Sequence, residues 1–163
     1  MLLLPFSYFH KFNKKGKYTI KYIFKKNITK TNCMFMWCSS LNSIDLSNFN
    51  SNNVINMASM FSGCSSLTKI NLSNFNTNNV KNMGWMFYRC SFLKNINLSF
   101  FNTNNVTNMS FLFAESSSLA SIDLSNFNTN NVKDMNGMFD ECYLLNKNNV
   151  ITKDKRILNK LKI

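Results

Sequence analysis

Near-copies of one stretch, LTKINLSNFNTNNVKNMGWMFYRCSF at positions 67–92, lie on both sides of it at a fixed offset of 26 residues. Leu41, Leu67, Leu93, Leu119 and Leu145 share one column, Ile44, Ile70, Ile96 and Ile122 a second, and Leu46, Leu72, Leu98 and Leu124 a third. Four more apolar columns follow at the same offset, led by Phe49, Val54, Met57 and Phe61. Met60, Met86 and Met138 are joined by Leu112, and Cys38, Cys64, Cys90 and Cys142 by Ser116. A period in the twenties marks a one-dimensional array, in which each unit buries its apolar face only against its neighbours.

The spacing changes midway through each unit. Leu67, Ile70 and Leu72 give the alternation of a short strand with one buried face. From Val80 the apolar residues fall at Met83, Met86, Phe87 and Cys90, steps of three and four that predict a helix of two to three turns. Between them lies SNFNTNN, whose Asn and Thr side chains suit turns and helix caps, with Thr77 or Asn78 expected as the N-cap. Strands repeat every ~4.8 Å whereas helices need ~10 Å, so such a stack is expected to curve with its strands inside.

The string LxxIxLSNFNTNNVxNMxxMFxxCSSL resembles the repeat of the BspA-like leucine-rich repeat surface proteins, in the LSNF-T-NV-M-MF-C form of bacterial surface lipoproteins. The likeness covers residues 41–145 and departs from the plain leucine-rich repeat by placing Phe where Asn is usual after the last strand Leu. It implies an α/β solenoid: a curved, right-handed stack with a parallel sheet of short strands on the concave side and short helices on the convex side. It also implies a cell-surface or secreted protein acting in adhesion or host interaction.

Outside the four regular repeats the pattern loosens. Residues 1–14 read as a frayed helical half-repeat or cap, since no basic segment precedes the apolar run and no cleavage site follows it. Residues 15–40 read as a degenerate basic repeat, and 146–163 as a basic tail or cap, with Ile157, Leu158 and Leu161 able to form one amphipathic turn. The two ends hold the charge. Of the net +12, residues 1–40 carry +8 and 147–163 carry +5, leaving −1 on the array between them. Solvated capping ends are preferred to a nucleic-acid or anionic-lipid surface, because the array offers no basic stripe with aromatics on it.

Catalytic and metal-binding constellations find little support. His10 is the single histidine, so no Ser-His-Asp or Cys-His arrangement can be assembled elsewhere. The columnar cysteines read as small buried thiols rather than disulfides or metal ligands, and the ten methionines as core rather than a soft-metal site. Arg89 and Glu115, 26 residues apart, are placed to meet across repeats. No enzyme activity, cofactor or metal is expected. The expected ligand face is the outer side of the strands, comprising Ser43, Asp45, Lys69, Asn71, Asn95, Asn97, Ser121 and Asp123, where the core does not dictate identity. Its partner is expected to be a host or bacterial surface protein or glycan, met by a monomer or a longer array. Two readings stand beside this one: display of repeats with no specific ligand, and weak nucleic-acid or anionic-lipid binding through the basic termini.

Overall fold

The computed structural model describes residues 28–161, so the unit expected at 1–14 and the first half of that at 15–40 lie outside the described residues. Successive repeats lie side by side in parallel. Lys30, Asn56, Asn82, Asn108 and Asp134, each 26 residues beyond the last, form a line of parallel bridges. On the strand side, β1 (Ser43–Asp45) pairs with β2 (Lys69–Asn71), with Ile44 opposite Ile70. Further along, β3 (Ile122–Asp123) pairs with β4 (Val150–Ile151).

The expected helices are not formed. Among the described residues the one α-helix is α1 (Lys155–Leu158), and the stretches from Met57, Met83 and Met109 are chains of tight turns. Alternate amides bond locally, as Met60 does to Met57 O and Ser62 to Ser59 O (both 3.2 Å). The amides between them leave the repeat altogether: Met57, Ser59, Phe61 and Gly63 donate to the carbonyls of Asn82, Gly84, Met86 and Tyr88 at 2.7–2.9 Å. The same four bonds recur at every junction from the Thr31 repeat to the Asp134 repeat. An α-helix spends each interior amide on the carbonyl four residues back and has none to give a neighbour. These turns pair every backbone donor while giving half of them to the next repeat, which satisfies the same accounting.

The backbone reaches this path through left-handed residues at two columns four apart. Cys33, Ser59, Trp85, Phe111 and Gly137 form one, and Trp37, Gly63, Arg89, Glu115 and Glu141 the other, all with φ between 53° and 74°. Thr77 is correspondingly no N-cap; its hydroxyl donates to Asn102 O and accepts from Asn102 N–H, tying one repeat to the next. Nor does Asn78 cap a helix; its Oδ1 accepts from Asn102 Nδ2.

Inside this path the apolar columns meet as rings and chains. Phe35, Phe61, Phe87, Phe113 and Phe139 stack with centroids 5.5–5.8 Å apart and planes within 8°. Phe49, Phe75 and Phe101 stack beside them. Val80, Met83 and Met86 are wholly buried, as are their counterparts in the repeat before. Burial of a Phe contributes about 1.5–3 kcal/mol and its ring pairing about 0.5–1.5 more, comparable with the four inter-repeat backbone bonds at about 0.5–1.5 each.

The C-terminal segment packs against the last regular repeat. Val150, not Asn148, stands opposite Ile122, a shift of 28 rather than 26 residues. The two extra residues are taken out again by Asp154, which lies 26 beyond Asn128 and accepts from the Thr129 hydroxyl at 2.5 Å. Asp154 also caps α1 by accepting from Arg156 N–H. Ile157 and Leu161 then close the end of the core, and the Arg156 guanidinium donates to the carbonyls of Thr129 and Val132.

Candidate ligand face

The strand side is where the repeats are joined least tightly. Between β2 and the following repeat the ladder stops, and Asn95–Asn97 form no strand. The backbone amides and carbonyls of Asn95, Ile96 and Asn97 make no backbone hydrogen bond. The expected continuous parallel sheet is therefore two separate pairs. On the other side of the repeat the four inter-repeat bonds and the Phe stack continue through this junction unchanged.

Where the ladder stops, a shallow groove opens. Ser43, Asp45, Thr68, Lys69, Asn71, Asn95 and Asn97 line it over the partly covered Ile44 and Ile70 and the buried Ile96. Six of the eight residues expected on the ligand face thus fall in one groove across three repeats. Ser121 and Asp123 lie beyond the break, on β3. All eight are exposed.

Four of them have a second task. The Oδ1 atoms of Asp45, Asn71, Asn97 and Asp123 accept from the backbone N–H of Ser47, Ser73, Ser99 and Ser125 at 2.8–3.1 Å, closing the turn after each strand. The Ser47 amide and hydroxyl hold the Asp45 carboxyl below its usual range, with a smaller contribution from Asn71, and the Ser125 hydroxyl and amide do the same for Asp123. Lowered in this way, these carboxylates remain charged at neutral pH. Ser43, Lys69 and Asn95 have no such tie, and their side chains answer to solvent alone.

The Asn and Thr residues of SNFNTNN form ladders along the turn edge. Asn79, Asn105 and Asn131 donate through Nδ2 to carbonyls 27 residues earlier, and Asn76, Asn102 and Asn128 to Asn side chains 24 residues earlier. Their donors are used within the fold, which removes most of this edge as a recognition strip. Phe100 breaks one such ladder, standing where Asn74 and Asn126 each bind a Ser carbonyl in the preceding repeat.

Three cysteines of the column are structural, whereas Cys38, expected to be buried with them, is exposed. Cys64, Cys90 and Cys142 are buried free thiols whose Sγ atoms donate to the carbonyls of Phe35, Phe61 and Phe113. Ser116 makes the same bond to Phe87 O at 2.7 Å. Burial pushes the Cys64 and Cys142 thiols up to about 12, with the Cys90 thiol raised further. Among the described residues no cluster of His, Cys, Asp and Glu is arranged to hold a metal ion.

Sequence spacing alone missed a second exposed feature. The two left-handed columns carry aromatic side chains outward: Trp85 stacks on Phe111 at 4.2 Å and meets Tyr88 edge-on at 4.8 Å. Arg89 covers the Tyr88 ring at 5.1 Å and pairs with Glu115 at 2.5 Å, while Tyr88 donates its hydroxyl to the other Glu115 oxygen. The Arg89–Glu115 meeting expected from their spacing is thus formed. Arg89, then the Tyr88 hydroxyl, hold the Glu115 carboxyl low despite some desolvation. The signal for this face was present in Gly63 and Gly137, the glycines that share columns with Trp37 and Phe111.

No curated protein and no solved structure matches this sequence. Two overlapping segments, residues 6–99 and 69–157, match a family of repeat proteins. The chain belongs to DUF285, the family described as Mycoplasma protein of unknown function.

Proposed function

We propose that this protein is a non-enzymatic interaction module, a leucine-rich-repeat-like solenoid of the BspA-like kind, presented at the cell surface and binding a host or bacterial surface protein or glycan through its strand face. The observation that carries this reading is the interrupted ladder at Asn95–Asn97. Three consecutive residues there have backbone groups without backbone partners, beside Lys69, Asn71, Asn95 and Asn97. Exposed, unpaired strand backbone is a ready template for an incoming chain, with flanking side chains to select it. Family membership supports a repeat protein, and the resemblance of its repeats to surface lipoproteins supports the location. No helix among the described residues is long and apolar enough to cross a membrane.

The test replaces Ser43, Lys69, Asn95 and Ser121 together, all exposed and none in the core, and measures adherence of labelled protein to host cells and matrix proteins. Loss of adherence with an unchanged unfolding curve supports recognition by this face. Full adherence by the variant, or none by the parent protein, rejects it. The second result favours display of repeats without a specific ligand, the reading in which repeat number matters and strand-face chemistry does not.

A further inference from the structure

Asn136 and Gly137 are held in place by opposite kinds of constraint. The residues that share a column with Asn136 are Ala58, Gly84 and Ser110, so the core leaves the identity of this position open. Gly137 is fixed by packing, because its φ is +61° and a β-carbon there would run into the Phe111 ring. The outcome is the one asparagine of the chain that is followed by glycine. Asn136 is exposed, and its side-chain amide has no hydrogen-bond partner among the described residues. The ladder residues Asn105 and Asn131, by contrast, have theirs bonded to carbonyls of earlier repeats.

The backbone nitrogen that follows is free as well. The equivalent amides of Cys33, Ser59, Trp85 and Phe111 donate to carbonyls of the next repeat at 2.8–3.0 Å. Beyond Gly137 the chain passes through β4 and α1 instead, and the Gly137 N–H meets no acceptor among the described residues. An unheld nitrogen, an untethered side-chain amide and a residue with no side chain to obstruct their approach thus coincide at one peptide bond.

We propose that Asn136 is a self-modification site, at which the Gly137 nitrogen displaces the side-chain amide and water completes the reaction. The nitrogen gives up its proton and attacks Asn136 Cγ. The N–Cγ bond forms, the Cγ–Nδ2 bond breaks, and Nδ2 leaves with that proton as ammonia. The resulting five-membered succinimide takes up one water. Opening at Cγ leaves aspartate, and opening at the main-chain carbonyl leaves isoaspartate, with the chain now running through Cγ. Nothing is oxidised or reduced.

The products bear on the stack itself. Asn136 O accepts from Phe111 N–H at 2.8 Å, and Phe111 in turn carries the Trp85 ring. Isoaspartate adds a carbon to the main chain at that carbonyl, so the Phe111 bond and the close fit of its ring over Gly137 do not both survive. Either product also sets a new carboxylate beside Asp134, whose Oδ1 accepts from Asn136 N–H, and like charges at such range repel. The junction between the Met109 and Met135 repeats is loosened by both effects.

The test follows the native full chain at neutral and mildly alkaline pH by peptide mapping with mass spectrometry, using isoaspartate methyltransferase to distinguish the two products. Conversion at Asn136 ahead of every other asparagine is expected, faster as pH rises and accompanied by faster hydrogen exchange at the Phe111 amide. Asn136→Ser copies Ser110 and should keep the fold while removing the conversion. Asn136→Gln should slow it strongly, because the longer amide has to close a six-membered ring. Conversion spread evenly over the asparagines, or seen only when the protein is unfolded in urea, overturns the proposal. No strand-face residue takes part, so this chemistry and host adherence stand or fall separately.

Discussion

Trp37 lies across Gly63, the residue 26 positions further on, so closely that a β-carbon on Gly63 would stand 2.2 Å from Cε3 of the indole. Both residues are left-handed, and their column continues through Arg89, Glu115 and Glu141. Left-handed backbone is thus tolerated at this column with large side chains, and what Gly63 supplies is room for the ring. Gly63→Ala is expected to destabilise the protein by about 1–3 kcal/mol, combining the conformational cost with a displaced Trp37. In Trp37→Ala the same substitution should cost clearly less. Urea unfolding of the double-mutant cycle measures the difference, and equal costs in both backgrounds would show that the ring contact is not the cause.

Accessibility divides the thiols. Cys33 and Cys38 are exposed, whereas Cys64, Cys90 and Cys142 are buried and donate to carbonyls. At pH 8 a thiol reagent should label two cysteines quickly in the native protein and the other three only on unfolding, with Cys38 the slower of the first two because partial burial raises its thiol. Peptide mapping after a short pulse identifies which residues react.

Ser116 shows that this column needs a donor more than it needs sulfur. Its hydroxyl bonds Phe87 O at 2.7 Å, in the place of the Cys thiols. Ser116→Ala should lose about 1 kcal/mol of stability, and Ser116→Cys substantially less. Thermal unfolding of the two variants side by side decides the point.

Arg156 closes the C-terminal end by donating to the carbonyls of both Thr129 and Val132. Arg156→Ala should cost about 1–3 kcal/mol by leaving these acceptors without their partner, and Arg156→Lys should restore little, because an ammonium lacks the planar fork that reaches two carbonyls. Hydrogen exchange is expected to accelerate first in the 129–139 repeat; uniform acceleration through the stack would contradict a contact acting locally.

Acid should act on the same end. Burial pushes the Asp154 carboxyl up, but the Thr129 hydroxyl and the amides of Arg156, Thr129 and Ile157 together outweigh it and hold the group below the ordinary carboxylate range. A depressed folded value means the unfolded chain takes up protons first. The stabilisation is therefore fully present above the unfolded value of about 3.9 and lost as pH falls through the lower, folded one. Asp154→Asn should show a smaller loss of stability between pH 5 and 2 than the parent chain, measured by urea unfolding.

Much of the core was legible because identical repeats stacked in register place each residue against the one 26 further on. Phe61, Phe87 and Phe113 were found as one column and stand as one stack, and Arg89 and Glu115 meet for the same reason. The strand at Lys69–Asn71 was legible, yet its counterpart at Asn95–Asn97 was not distinguishable from it, since KIN and NIN differ at a position the core does not touch. The helix expectation failed at a specific place. Val80, Met83, Met86, Phe87 and Cys90 do share a buried side, but Asn82, Gly84 and the aromatic residues around them form helices poorly, a signal outweighed by the spacing.

The sequence by itself determined the period, the residues that face inward and the neighbour each one meets, because burial at fixed columns leaves no other register. Only the tertiary structure decided how the chain travels between those columns. Steps of three and four serve a helix and a run of left-handed turns equally well, and the choice rests on carbonyls such as Asn82 O and Met86 O, supplied by the next repeat and absent from any single one. That choice carries Trp37, Trp85 and Phe111 outward, while on the strand side a groove opens at Asn95–Asn97.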